Sequence, residues 1–136
     1  MSYAIIDVSG DIGIRAEGDS LEECFSNAAL GLYSLITDLD KIESKKEIDI
    51  SISEDNIENL LVCFLNELIY IFDTQDFIGR NVNVKIIGNS LIAKVSGEQF
   101  NADKHDRKLL IKAATYHNLV VRKQESRWIA EIIFDI

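Results

Sequence analysis

Apolar residues recur along this chain with two periods, and the switches between them divide it into strands and helices. Residues 3–8 and 12–16 read as two strands around the tight Ser9-Gly10-Asp11 segment. In the second, Ile12, Ile14 and Ala16 alternate with Gly13 and Arg15, the period-2 pattern of a half-buried strand. Ser20-Leu21-Glu22-Glu23 is a capping-box sequence, and Leu21, Cys24, Phe25, Ala28, Ala29 and Leu32 follow at helical spacing towards an end near Asp38. Ile48, Ile50 and Ile52 form a third strand. Asp55, three residues before Glu58, marks the start of a second helix. Its stripe, Ile57, Leu60, Leu61, Phe64, Leu65, Leu68, Ile69 and Phe72, steps by three and four without a break.

Beyond it, Val82, Val84 and Ile86 run into Gly88-Asn89 and return as Leu91, Ala93 and Val95; glycine at the first turn position predicts a type II′ hairpin. Residues 112–121 and 127–135 read as two further strands. The expectation is an α+β, two-layer domain over 1–136: a largely antiparallel sheet with two main helices packed on one face. The chain has no proline and no repeat, so nothing divides it.

Composition narrows the class. With 136 residues, 47% of them hydrophobic, the chain can bury a core without staples. The 23 acidic against 14 basic residues give a formal charge of −9. That balance argues against direct nucleic-acid binding, which draws its affinity from Lys and Arg on phosphates, and favours cationic partners such as divalent metals or a basic protein surface. Cys24 and Cys63 sit on helical apolar stripes and read as buried thiols. No apolar run approaches a membrane span and the first residues lack a signal-peptide pattern, so the expected location is cytoplasmic.

No enzyme signature stands out. Gly10, Gly13 and Gly18 lack the spacing of a phosphate loop, and Ser9 has no histidine near it in sequence. His105 and His117 read as a surface residue and a half-buried, hydrogen-bonded one. The carboxylates carry more. Asp7 and Asp11 bracket the first turn, and Asp135 closes the last strand. If that strand ends beside the turn, Asp11, Asp135 and the carboxylate of Ile136 converge into a set of hard oxygen donors of the kind calcium takes. The plain alternative is that each aspartate stabilises a turn or solvates a strand end.

Four segments resemble the archease family, and they run in order along nearly the whole chain. Residues 6–14, Ile-Asp-Val-Ser-Gly-Asp-Ile-Gly-Ile, are similar to its N-terminal DHTADIGI motif. Glu58-Asn59-Leu60-Leu61 and Leu65-Asn66-Glu67-Leu68 resemble its second helix. Ile111-Lys112-Ala113-Ala114-Thr115-Tyr116-His117 resembles its IKAVTYH segment, and Asp135-Ile136 its acidic-plus-aliphatic ending. The resemblance implies a metal, commonly calcium, at Asp11, Asp135 and Ile136. It also implies a role as activator of the GTP-dependent RNA-splicing ligase that joins 3′-phosphate or cyclic-phosphate ends to 5′-hydroxyls in tRNA splicing. Such a protein promotes the ligase's guanylylation and multiple turnover and is not itself the enzyme. Val8 replaces the motif's usual His, Gly10 its Ala, and Leu110 stands where many members carry an acid. Two other classes stay open on the residues alone: a small metal-dependent hydrolase or nuclease, and a purely structural interaction domain.

Overall fold

The computed structural model describes residues 2–136. Tyr3–Val8 (β1) and Asp11–Gly18 (β2) form the first hairpin, paired from Tyr3 with Ala16 to Val8 with Asp11. Ser9 and Gly10 both have positive φ, +53° and +84°, which makes this a two-residue turn of type I′. Leu21–Ile36 (α1) follows. The Ser20 hydroxyl accepts the Glu23 N–H at 3.1 Å, as the capping sequence requires. The helix stops when Thr37 turns extended, its N–H donating to the Tyr33 carbonyl at 3.0 Å. A 3₁₀ turn over Leu39–Lys41 leads to Lys46–Ser53 (β3).

Ile57–Gln75 (α2) begins one residue later than the sequence pattern indicates. Asn56, not Asp55, is the cap: its Oδ1 accepts the Asn59 N–H at 2.8 Å, while the Asp55 carbonyl accepts from the Asn89 side chain. The predicted stripe is buried from Leu60 to Phe72, and Asp76 ends the helix in the left-handed region. Phe77–Ile87 (β4) and Ser90–Gln99 (β5) form the second hairpin. Gly88 alone takes positive φ in its turn, +59°, as a type II′ turn asks. Leu91, Ala93 and Val95 face the core with no exposed surface.

The expected strand over 112–121 does not exist as one element. Ala113–Ala114 (β6) pairs for two residues, a turn holds residues 116–119 with Asn118 at φ +52°, and Val120–Gln124 (β7) starts afresh before Arg127–Asp135 (β8). Alternating apolar residues on both sides of the turn imitate one strand, and the left-handed Asn118 interrupts it.

One expected sheet is in fact two, both antiparallel. The first has the order β1-β2-β8, with β7 and β6 sharing the far edge of β8; the second has the order β3-β5-β4. Period-2 patterning specifies which face of a strand is buried, not which strand it pairs with, so it could not separate the two. Helix α1 packs on β1, β2 and β8 of one sheet and on β4 of the other. Helix α2 touches β6, β7 and all three strands of the second sheet. The apolar faces of both helices and both sheets therefore meet in one core cluster. Residues 100–112 wrap the end of α1, where Lys108 and Leu109 N–H groups donate to the Ile36 and Leu35 carbonyls that a helix end leaves unpaired.

Candidate metal site and its surroundings

Two cross-strand registers meet at one end of the five-stranded sheet. Val8 pairs with Asp11, and Asp135 pairs with Ala113. Between them, the β2–β8 register ends at Ile12 opposite Phe134, and its next step sets Asp11 opposite Asp135. Val8, Asp11, Asp135 and Ala113 thus form a single row. Ile14, Ile132 and Phe134 point into the core, so by alternation Asp11 and Asp135 point outward. Two like charges facing each other across an antiparallel pair are destabilising on their own. Asp7 pairs with Ile12 and has the opposite parity, which removes it from the row.

The far side of the row is held by α2. Asn66 brackets Ala114: its Oδ1 accepts the Ala114 N–H at 2.8 Å and its Nδ2 donates to the Ala114 carbonyl at 3.3 Å. Sequence alone left Asn66 undecided between partner contact and structural bonding; it is a clamp. The Lys112 N–H donates to the Asp135 carbonyl at 2.8 Å, and Thr115 donates both its N–H and its hydroxyl to the Ile133 carbonyl. The 111–115 segment therefore fixes the backbone of β8 right up to Asp135. We expect Asn66→Ala to lower stability by about 2 kcal/mol, since it strips two hydrogen bonds from a half-buried peptide. Urea unfolding measures this, and weaker metal binding should accompany it.

The two histidines reverse their expected places. His117 is exposed, its side chain at 61%, with Nε2 3.6 Å from the Asp11 Oδ2. The Asn118 Nδ2 lies 3.3 Å from that same Nε2, and the aspartate contact is an ion pair only when the imidazole is protonated. His105 is buried, 1% exposed. Its Nδ1 accepts the Asn101 N–H at 2.9 Å, which leaves Nε2–H to donate to the Glu98 carboxylate at 3.0 Å. The run Asp103-Lys104-His105-Asp106-Arg107 looks solvated in sequence; the buried Glu98 draws its histidine inward. Glu98 also accepts from the Glu43 N–H and the Lys104 ammonium. Burial pushes the Glu98 carboxyl up, but Lys104, the Glu43 amide and His105 together outweigh it and hold the group down at about 2.

The thiols offer no ligand chemistry. Burial, helped by Glu17 and Glu23, pushes the Cys24 thiol up to about 12, and partial burial with Glu54 nearby raises that of half-buried Cys63. Among the described residues, no three His, Cys, Asp or Glu side chains gather closely enough to hold a metal ion. The row supplies two side-chain carboxylates, Asp11 and Asp135. Ile136, the third residue expected at the site, directly follows Asp135 and is exposed. Carboxylate oxygens with no sulfur beside them are donors of the kind calcium takes, which accepts irregular geometry and fills open positions with water or a partner's groups.

Residues 3–136 match the Archease protein family (MTH1598/TM1083). The chain belongs to this family. Relatives named protein archease include that of Pyrococcus furiosus, 41% identical over 133 residues and 94% of each chain. That of Sulfolobus acidocaldarius is 35% identical over 136 residues and 98% of each chain. The solution structure of protein 1598 of Methanobacterium thermoautotrophicum superposes with a TM-score of 0.83 at 29% identity, covering 99% of both chains. The crystal structure of an archease, possible chaperone, from Thermotoga maritima shares the fold with a TM-score of 0.66 at 22% identity, covering 96% of this chain and 94% of that one. The archease matches bear out the family reading of the sequence motifs, and the two helices with antiparallel sheets bear out the α+β class. No described helix is long and apolar enough to cross a membrane.

Proposed function

We propose that this archease is an accessory protein, not a catalyst, that binds a divalent cation, calcium foremost, through Asp11, Asp135 and the carboxylate of Ile136. In this reading it acts in the cytoplasm on the RNA-splicing ligase that joins 3′-phosphate and 5′-hydroxyl ends, raising its guanylylation and allowing repeated turnover in tRNA splicing or RNA repair. The observation that carries the proposal is the outward row in which Asp11 and Asp135 face each other at the open end of the sheet. Repulsion between two carboxylates is relieved by a shared cation, and the exposed His117, 3.6 Å from Asp11, is the one basic side chain that reaches either of them among the ion pairs of the described residues. A cation held there supplies positive charge for phosphates whose charge shifts during nucleotidyl transfer. The chain's own residues position it. Asn66, Thr115 and Lys112 fix the strand that carries Asp135, and the type I′ turn fixes the start of the strand that carries Asp11.

The chain's net charge of −9 suits a protein partner with basic groups or a metal centre of its own better than it suits RNA. The decisive experiment adds the purified protein to its cognate ligase with GTP and counts guanylylated ligase and joined ends per ligase. A rise from about one turnover to many is expected, at accessory protein well below the substrate concentration. Unchanged guanylylation and unchanged turnover would overturn the proposal.

A further inference from the structure

We infer that the outward face of the five-stranded sheet just below the carboxylate row is a docking strip for a flat apolar surface of the protein that receives those carboxylates. The inference rests on the proposed ligase partnership and adds to it the surface that makes contact. The row next to Val8-Asp11-Asp135-Ala113 on the same face is Ile6-Gly13-Ile133, apolar across three strands. A Cβ on Gly13 would stand 2.8 Å from the Ile133 Cδ1 and press on the Ile132 carbonyl oxygen. Glycine there lets Ile133 lie flat over β2, which smooths the strip between two isoleucines. Val8 at its corner is 63% exposed, and Ile136, directly after Asp135, is exposed as well. The next row inward, Ala4-Arg15-Glu131-Val120, closes the strip with an ion pair satisfied at 2.9 Å, so it presents no net charge.

Neither a solvent-facing role nor a partner from within the chain accounts for this composition. Helix α1 packs on the opposite face, where Tyr3 and Ile14 close on Gly31. The second sheet shows what a solvated outward face looks like in the same molecule. Two of its rows read Asp49-Lys94-Asn83 and Glu47-Ser96-Asn81, with Lys94 at 3.5 Å from Asp49 and 3.6 Å from Glu47, and its exposed isoleucines stand singly in polar rows, Ile92 between Ser51 and Lys85 and Ile87 beside Ser90.

Size decides between a second copy and a transient partner. Three to four strands about 4.8 Å apart and a row about 6.6 Å deep give the strip an area on the order of 100–130 Å². A stable interface buries roughly 800 Å² per partner. The strip alone is too small for a lasting dimer, but it is continuous with the carboxylate row and the exposed Val8 and Ile136. A partner seated on all of these gains orientation from the strip and charge recognition from the row, and can still leave.

The test measures affinity of the full chain for the cognate ligase by calorimetry with calcium present. Ile6→Lys and Ile133→Gln should each weaken it by about tenfold or more with calcium affinity unchanged, while Ile92→Lys, on the second sheet, changes it less than about twofold. Affinities within about twofold of wild type for the first two overturn the strip and leave the ligase partnership standing. A wild-type protein that does not bind ligase overturns both. Wild-type dimers in sedimentation that the two variants dissolve, with ligase affinity untouched, overturn the inference in favour of a second copy. Should either variant melt early, hydroxyl-radical footprinting of the wild type replaces it. Protection of Ile6, Val8 and Ile133 by ligase supports the strip, and unprotected side chains overturn it.

Discussion

Asp135→Ala is expected to weaken calcium binding by about 100-fold, about 2.7 kcal/mol, while leaving the fold intact. The residue supplies one of two side-chain carboxylates in the row, and its backbone, not its side chain, receives the Lys112 N–H that holds the strand. The same change should act in opposite directions on stability with and without metal. Without calcium, removing one of two facing charges relieves repulsion, so Asp135→Ala and Asp135→Asn should melt no lower than wild type and up to about 1 kcal/mol more stable. With saturating calcium the wild type gains RT ln(1 + [Ca]/Kd) and the variants do not. Asp11→Ala should reproduce the pattern. A peptide extension past Ile136 should weaken binding without the gain in metal-free stability, because it moves a terminal carboxylate and leaves both aspartates in place. Paired titrations and melts check all four. Normal calcium binding by Asp135→Ala and by the extended chain would place the site elsewhere.

That site was half legible in the sequence, for a physical reason. Asp11 and Asp135 lie at opposite ends of the chain, and only the condition that the last strand ends beside the first turn brings them together. Alternation in residues 12–16 and 127–135 gave each strand its faces, while the pairing of β2 with β8 is a tertiary fact that no local pattern encodes. The same limit merged two sheets into one. Helix stripes were the most legible feature, because an unbroken run such as Leu60 to Phe72 has one way to bury itself. Caps were legible to within a residue: Asp55 and Asn56 are both good caps, and the Asn89 side chain, which engages the Asp55 carbonyl, lies far along the chain. The 112–121 segment failed because a turn through a left-handed Asn118 preserves the alternation on both sides of it.

His105 is the largest departure from the sequence reading, and its surroundings give the second prediction. Glu98→Ala should destabilise the protein by about 3 kcal/mol or more, because it leaves the buried His105 Nε2–H and the Glu43 N–H without an acceptor and takes from Lys104 one of its two carboxylate partners, the other being Glu43. Calcium affinity should fall far less, since the network lies off the carboxylate row. The effect also has a pH signature in the wild type. Glu98 is held at about 2 against an ordinary value of 4.5, so the folded state binds its proton later than the unfolded chain does. Its contribution is complete above about pH 4.5 and is lost as pH falls from there towards 2. The Glu98 side chain is 7% exposed but Lys104 is 32% exposed, so water screens part of the attraction and about 2 kcal/mol is the expected size of the loss. Urea unfolding from pH 6 to pH 2.5 should therefore show the wild type losing its advantage over Glu98→Ala progressively below pH 4.5. Parallel curves for the two proteins through that range would mean that the carboxylate is not held in its charged form by this network.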